Sequence, residues 1–246
     1  MSIIKNIKNQ LKKKTIEEIN SLIIDLSKNP NEKSKFIIEY LINNLSREEF
    51  NRIKINLFYF IGRLSKTEKI ENILIEFLID QFQISDQWER REITKSLRII
   101  SKNQQLNEGI INQLVISLKE DYIPIIKNIL EIILNIQSLN QNMINDILLL
   151  SDHRDRDISI LKKKIFLKFI HNEKELFKLL DNMDFYEKLS ERSFRKIIVS
   201  YFSQLIELKP FRIRIENSNW KERKKENFLK ELDTFQKILS KAPKFS

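Results

Sequence analysis

One block recurs five times along the chain, and it restricts the possible fold more than any other feature of the sequence. The blocks are IKINLFYFIG (53–62), ERREITKSLR (89–98), IKNILEIILN (126–135), LKKKIFLKFI (161–170) and FRKIIVSYFS (194–203), with starts 36, 37, 35 and 33 residues apart. In each block the second residue is basic: Lys54, Arg90, Lys127, Lys162 and Arg195. The fifth is large and apolar (Leu57, Ile93, Leu130, Ile165, Ile198), and the ninth is apolar as well (Ile61, Leu97, Leu134, Phe169, Phe202). Apolar residues four apart share one face of a helix. A fixed period of this size marks an array of units, each of which buries its apolar face only against its neighbours.

The composition agrees with helices. Two glycines and four prolines in 246 residues are too few turn formers for a β-rich fold. With 41% hydrophobic and 32% charged residues, the chain is expected to fold around a substantial core. Thr15 with Glu18 and Ser46 with Glu49 have capping-box spacing. Thr67, Ser85, Asp121, Asn140 and Ser190 are expected N-caps, and Pro124 falls in a first turn, where its missing N–H costs little. Each period then holds a helix pair. First helices are expected at 31–45, 67–84, 107–121, 140–152 and 172–189, and second helices at 47–65, 86–103, 122–138, 156–171 and 191–208.

These residues carry a resemblance to HEAT repeats, two-helix units stacked into a right-handed α-solenoid. SDQWERREITKSL matches the family pattern best, with Asp86, Arg90 and Leu97, and IKINLFYFIG matches it with Ile61-Gly62 near its end. Positions that hold Ala in the family hold Ile, Leu, Ser or Tyr here. The resemblance implies an all-α, right-handed α-solenoid of about five to six HEAT-like helical hairpins with a C-terminal capping helix. In this reading 1–30 holds N-terminal capping helices, 31–208 the repeat array, and 209–246 an irregular segment followed by the capping helix. In that last helix Phe228, Leu232, Phe235 and Leu239 share a face. The face suits the open end of the stack, or alternatively a partner's groove.

Catalytic and metal chemistry find little to work with. The absence of cysteine removes disulfides, zinc–thiolate sites and thiol nucleophiles, and it suits a reducing, cytoplasmic setting. The opening MSIIKNIKNQLKKK reads as a basic amphipathic first helix, with a targeting helix as the alternative. No membrane span is expected, because no apolar run approaches the ~18–20 residues that one needs. Gly62 and Gly109, the only glycines, cannot make a phosphate loop. The densest charged stretch, SDHRDRD (151–157), has no glycine to fold it around an ion, and the other histidine, His171, ends the following helix. It reads as a solvated turn whose Asp155 and Asp157 serve the next helix's N-terminus. No cofactor, metal, small-molecule substrate or enzymatic activity is expected.

The net charge of +10 says little by itself. Alanine occurs once (Ala242) and valine twice (Val115, Val199), while Ile, Lys and Asn abound, a skew that looks like AT-rich coding. The distribution is more informative. The five second helices hold 18 basic and 9 acidic residues, and the five first helices 7 and 16. HEAT-like arrays place second helices on the concave wall, so the resemblance implies a basic inner wall and an acidic outer one. It also implies that Lys54, Arg90, Lys127, Lys162 and Arg195, with acids such as Asp86 and Asp157 nearby, form a structural ladder between repeats. The partner-binding candidates are then Arg63, Arg91, Lys95, Arg98, Lys102, Lys163, Lys164, Lys168 and Lys196. A surface of one sign gathers partners of the other. The expected partner is an acidic protein or peptide surface, and the expected function is that of a non-enzymatic interaction scaffold. The alternative is a nucleic acid. SDQWERREI resembles the Trp-x-Arg-Arg turn of HEAT-like alkylpurine DNA glycosylases, which hold a damaged nucleotide with tryptophans and an aspartate. This chain has only Trp88 and Trp220, the second in the terminal segment, and Trp88 is expected to pack between repeats.

Overall fold

The structure is a computed structural model that describes residues 2–150, 153–170, 174–177 and 208–241. The fifth block, with Arg195, Lys196, Ile198 and Phe202, lies outside the described residues, as do Ser190 and His171. The chain divides into two compact units, Met1–Met143 and Ile144–Ser246. Every regular element among the described residues is helical.

The first unit contains α1 (Ser2–Leu11), α2 (Ile16–Lys28), α3 (Ser34–Asn44), α4 (Arg47–Leu64), α5 (Asn72–Ile84), α6 (Gln87–Ser101), α7 (Glu108–Val115) and α8 (Ile123–Leu134). A 3₁₀ turn, Ile116–Lys119, continues α7. Helix α9 (Gln141–Leu149) straddles the division, and α10 (Arg156–Phe169), α11 (Lys209–Glu216) and α12 (Glu222–Lys241) belong to the second unit.

Local chemistry sets the helix starts. Thr15–Glu18 and Ser46–Glu49 form complete capping boxes at α2 and α4. The Ser46 hydroxyl and then its backbone N–H hold the Glu49 carboxyl below the usual carboxylate range. Asn140 Oδ1 accepts the Met143 N–H at 2.9 Å, and Asn107 caps α7. Three expected caps fall elsewhere. Thr67 lies in the turn after α4, where its hydroxyl donates to the Leu64 carbonyl, and α5 starts only at Asn72. Asp86, not Ser85, caps α6, because its carboxylate reaches the Glu89 N–H at 2.8 Å. Tyr122, not Asp121, precedes α8, where Pro124 occupies the first turn.

Packing follows the period. Helix α4 packs against α2 on one side and α6 on the other, and α6 against α8, so α2, α4, α6 and α8 stand in one row. Helices α3, α5 and α7 each pack against the following even-numbered helix. The fifth position of every described block, Leu57, Ile93, Leu130 and Ile165, is fully buried. The ninth is buried in two blocks (Ile61, Leu97) and half-buried in the other two (Leu134, Phe169). Burial of one such side chain contributes about 1.5–3 kcal/mol, so each block anchors its own repeat.

Helices α4 and α6 approach closely where Gly62 meets Ser96. The contact leaves the Ser96 hydroxyl buried and without a hydrogen-bond partner among the described residues. Ser96→Ala is therefore expected to raise stability by about 1 kcal/mol, since it removes a desolvated, unsatisfied group. A urea unfolding midpoint that falls instead would mean the hydroxyl is bonded.

In the second unit the segment expected to be irregular after Leu208 is instead helix α11. Pro210 sits in its first turn, where no N–H is needed, and Phe211 and Ile215, one turn apart, are buried. Helix α11 packs on α12. Trp220, which precedes α12, stacks on Phe177 with ring centres 5.7 Å apart and meets Phe228 at a tilt, with centres 5.0 Å apart. The expected apolar face of α12 thus places Phe228 and Leu232 in the core of this unit. No helix among the described residues is long and apolar enough to cross a membrane.

Candidate functional site

Helices α2, α4, α6 and α8 form one row, and within it α4 and α6 hold most of the cations whereas α2 holds three acids and one lysine. Polar side chains tie this row together at the repeat period. Asn56 donates to Asn20 Oδ1 at 2.8 Å, Asn128 to Thr94 Oγ1 at 3.1 Å, Asn135 to Ser101 Oγ at 2.9 Å and Asn103 to Ser65 Oγ at 3.2 Å. Arg63 donates from Nε to the Ser27 carbonyl at 3.1 Å, and Arg98 to Glu131 at 3.0 Å. These rungs join residues 33 to 38 positions apart.

The block's second-position cations sit among the rungs. Lys54 Nζ lies 2.5 Å from Glu89 Oε1. Arg90 donates to Ser117 Oγ at 2.7 Å and to Glu120 Oε1 at 2.5 Å, with its guanidinium 4.2 Å from the centre of the Phe82 ring. Lys162 is only 6% exposed, and Lys127 is half-buried and engaged in contacts of its own. Arg195 is not among the described residues. The acids that pair with Lys54 and Arg90 are glutamates. Asp86, expected to contribute to the ladder, is committed to capping α6.

The partner-binding candidates divide into two groups. Arg63 terminates α2, bonding the Ser27 and Lys28 carbonyls at 3.1 and 3.3 Å, where a cation complements the C-terminal dipole. Arg91 and Lys95 flank Glu92 at 3.5 and 3.1 Å. Glu92 is 8% exposed, and a carboxylate so buried needs its cations. Arg98 is held by Glu131. These four cations therefore carry structural bonds as well as charge. Lys102 at the end of α6, and Lys163, Lys164 and Lys168 on α10, are exposed. Lys196 lies outside the described residues.

Sequence reasoning missed the aromatic part of this surface. Trp88, expected between repeats, is 58% exposed, with the Arg91 guanidinium 4.8 Å from its ring centre. It stands at the start of α6, one turn before the face that meets α4 and α8. Lys95 lies 5.3 Å from the ring centre of half-buried Tyr59. Tyr59, Lys95, Glu92, Arg91 and Trp88 form one cluster across α4 and α6. Its one legible signal was spacing: Trp88, Arg91, Glu92 and Lys95 fall at three- and four-residue steps.

The aspartate-rich turn is spent on the backbone. Asp155 accepts the N–H groups of Asp157 and Ile158 at 2.9 and 3.1 Å, and the Asp155 N–H donates to His153 Nδ1 at 3.1 Å. Among the described residues no three His, Asp or Glu side chains converge as a metal site would require.

The chain matches no family model, no curated protein and no solved structure. Its function must therefore be argued from its own surfaces.

Proposed function

We propose that this chain is a HEAT-like, right-handed α-solenoid of about five to six hairpins, a non-enzymatic scaffold whose concave wall of even-numbered helices binds an acidic protein or peptide surface. One observation carries the reading. Helices α4, α6 and α8 hold nine basic and five acidic residues, whereas α3, α5 and α7 hold one and four. Rungs at the repeat period support the stacking, and the surplus of cations on α4, α6 and α8 supports the sign of the partner there, while α2 in the same row holds one basic and three acidic residues.

The geometry dictates which cations to test. Charge reversal at Arg91, Lys95 and Arg98 together would strand Glu92 and set a carboxylate against Glu131, so it would report on the fold. Exposed cations outside those pairs are the better choice: Lys102→Glu in the first unit, and Lys163→Glu with Lys164→Glu in the second. Each variant is expected to weaken binding of a poly-glutamate peptide by up to about tenfold at low salt, with unchanged unfolding midpoints. Affinity that ignores both substitutions and salt would rule out the basic wall.

A second reading, nucleic-acid binding, is favoured by exposed Trp88 stacked with Arg91, because aromatic–cation pairs make sequence-tolerant stacking platforms. Trp88→Ala separates the two. It weakens single-stranded RNA and leaves the acidic peptide unaffected if the second reading holds.

A further inference from the structure

Helices α3 and α5 carry a surface of the opposite character. Helix α5 is apolar on both sides: Leu74, Ile75, Leu78, Ile79 and Phe82 are buried, while Ile73 is 66% and Ile84 79% exposed. Beside Ile73 a groove of about 240 Å³ opens between α3 and α5. Ile42, Ile73 and Phe77 give it apolar walls, and Glu39, Glu76 and Asp80 also line it. No lysine or arginine does. Lys35, one turn before Glu39, is held by Glu71, whose hydrogen bond raises the lysine's pKa, and it stands 4.0 Å from Glu39.

We infer that this groove docks a basic linear peptide, seating one or two aliphatic side chains against Ile42, Ile73 and Phe77 while flanking lysines or arginines meet Glu39, Glu76 and Asp80. The volume falls below the ~300–1,000 Å³ of sites that enclose drug-sized ligands, so it suits side chains of a longer partner. The three carboxylates without a lining cation select a basic partner over an acidic one by repulsion as well as attraction. Exposed isoleucines on the α5 face supply what bulk charge lacks, an apolar contact with a defined place. This surface is independent of the basic row, and its partner is of opposite sign.

The test is fluorescence anisotropy on the full chain with a labelled Lys-Lys-Leu-Leu-Lys-Arg peptide. Saturable binding is expected. It should fall about tenfold or more in Ile73→Ser and in Glu76→Lys with Asp80→Lys, and it should be unchanged in Lys102→Glu. A Lys-Lys-Ser-Ser-Lys-Arg peptide should bind about tenfold more weakly than its leucine counterpart. All substituted residues are exposed, and matching thermal midpoints verify that the variants fold. Absent binding, equal affinity for the serine peptide, or indifference to both groove variants overturns the inference. So does a wild-type dimer that Ile73→Ser converts to monomer, because a second copy of the chain would then be the occupant.

Discussion

Replacing Gly62 with alanine is expected to destabilise the chain by about 1–3 kcal/mol, although alanine is the better helix former. A Cβ at Gly62 would stand 2.8 Å from the Ser96 Cα and 2.9 Å from its Cβ. The obstacle is the backbone of α6, so no side-chain rotation relieves it, and α4 and α6 would have to slide apart. That movement disturbs the most extensive helix pair among the described residues and the rungs around it. Helix propensity returns at most ~1 kcal/mol. Gly109 supplies the control. It is exposed in the first turn of α7, and a Cβ there meets only Asn107 Oδ1, at an ordinary 3.4 Å. Gly109→Ala should therefore stabilise by roughly 0.5–1 kcal/mol. Urea unfolding at constant m-value measures both. If Gly62→Ala behaves like Gly109→Ala, the two helices do not touch as described.

Gly62 also shows what the sequence could express. Its place at the end of a recurring block was legible, as were the fifth-position core residues Leu57, Ile93, Leu130 and Ile165, because burial at the fifth position repeats with the period; the close approach at Gly62 has no counterpart at Arg98, Asn135 or Ile170. Pairing was less legible. Glu89, Glu120 and Glu131 became partners of Lys54, Arg90 and Arg98 through the offset between rows, and block alignment does not contain that offset. For the same reason a charge count overstated the open cation surface. Arg63, Arg91, Lys95 and Arg98 looked unspent along the chain, yet α2 carbonyls, Glu92 and Glu131 engage them. Trp88 misled through its size. Bulk argued for the interior, but its place at the first turn of α6, before the packed face begins, leaves it beside Arg91 in solvent. Helix α11 was missed because the segment from residue 209 was read as irregular, although Pro210 in a first turn is compatible with a helix start.

The second large effect is expected at Arg90, whose truncation to alanine should cost about 2–4 kcal/mol. Its side chain joins three elements. It leaves α6, lies over buried Phe82 in the last turns of α5, and bonds Ser117 and Glu120 at the 3₁₀ turn that leads to α8. Among the described residues Nη2 makes both bonds and Nε is buried without an acceptor, so the ring stack and these two bonds carry the effect. Two further substitutions separate these contributions. Arg90→Lys retains the charge but loses the planar stack, and about half the cost should remain. Arg90→Met retains the stem over Phe82 and loses the bonds, leaving Glu120 unpaired. A double-mutant cycle with Glu120→Ala should show a coupling of about 0.5–3 kcal/mol. Lys54 occupies the same block position with one carboxylate partner, Glu89, so Lys54→Ala should cost less. Should Arg90→Ala cost no more than an ordinary exposed ion pair, ~0–1 kcal/mol, the conserved basic character of the second position would be explained by solubility, and the repeat would rest on its apolar residues alone.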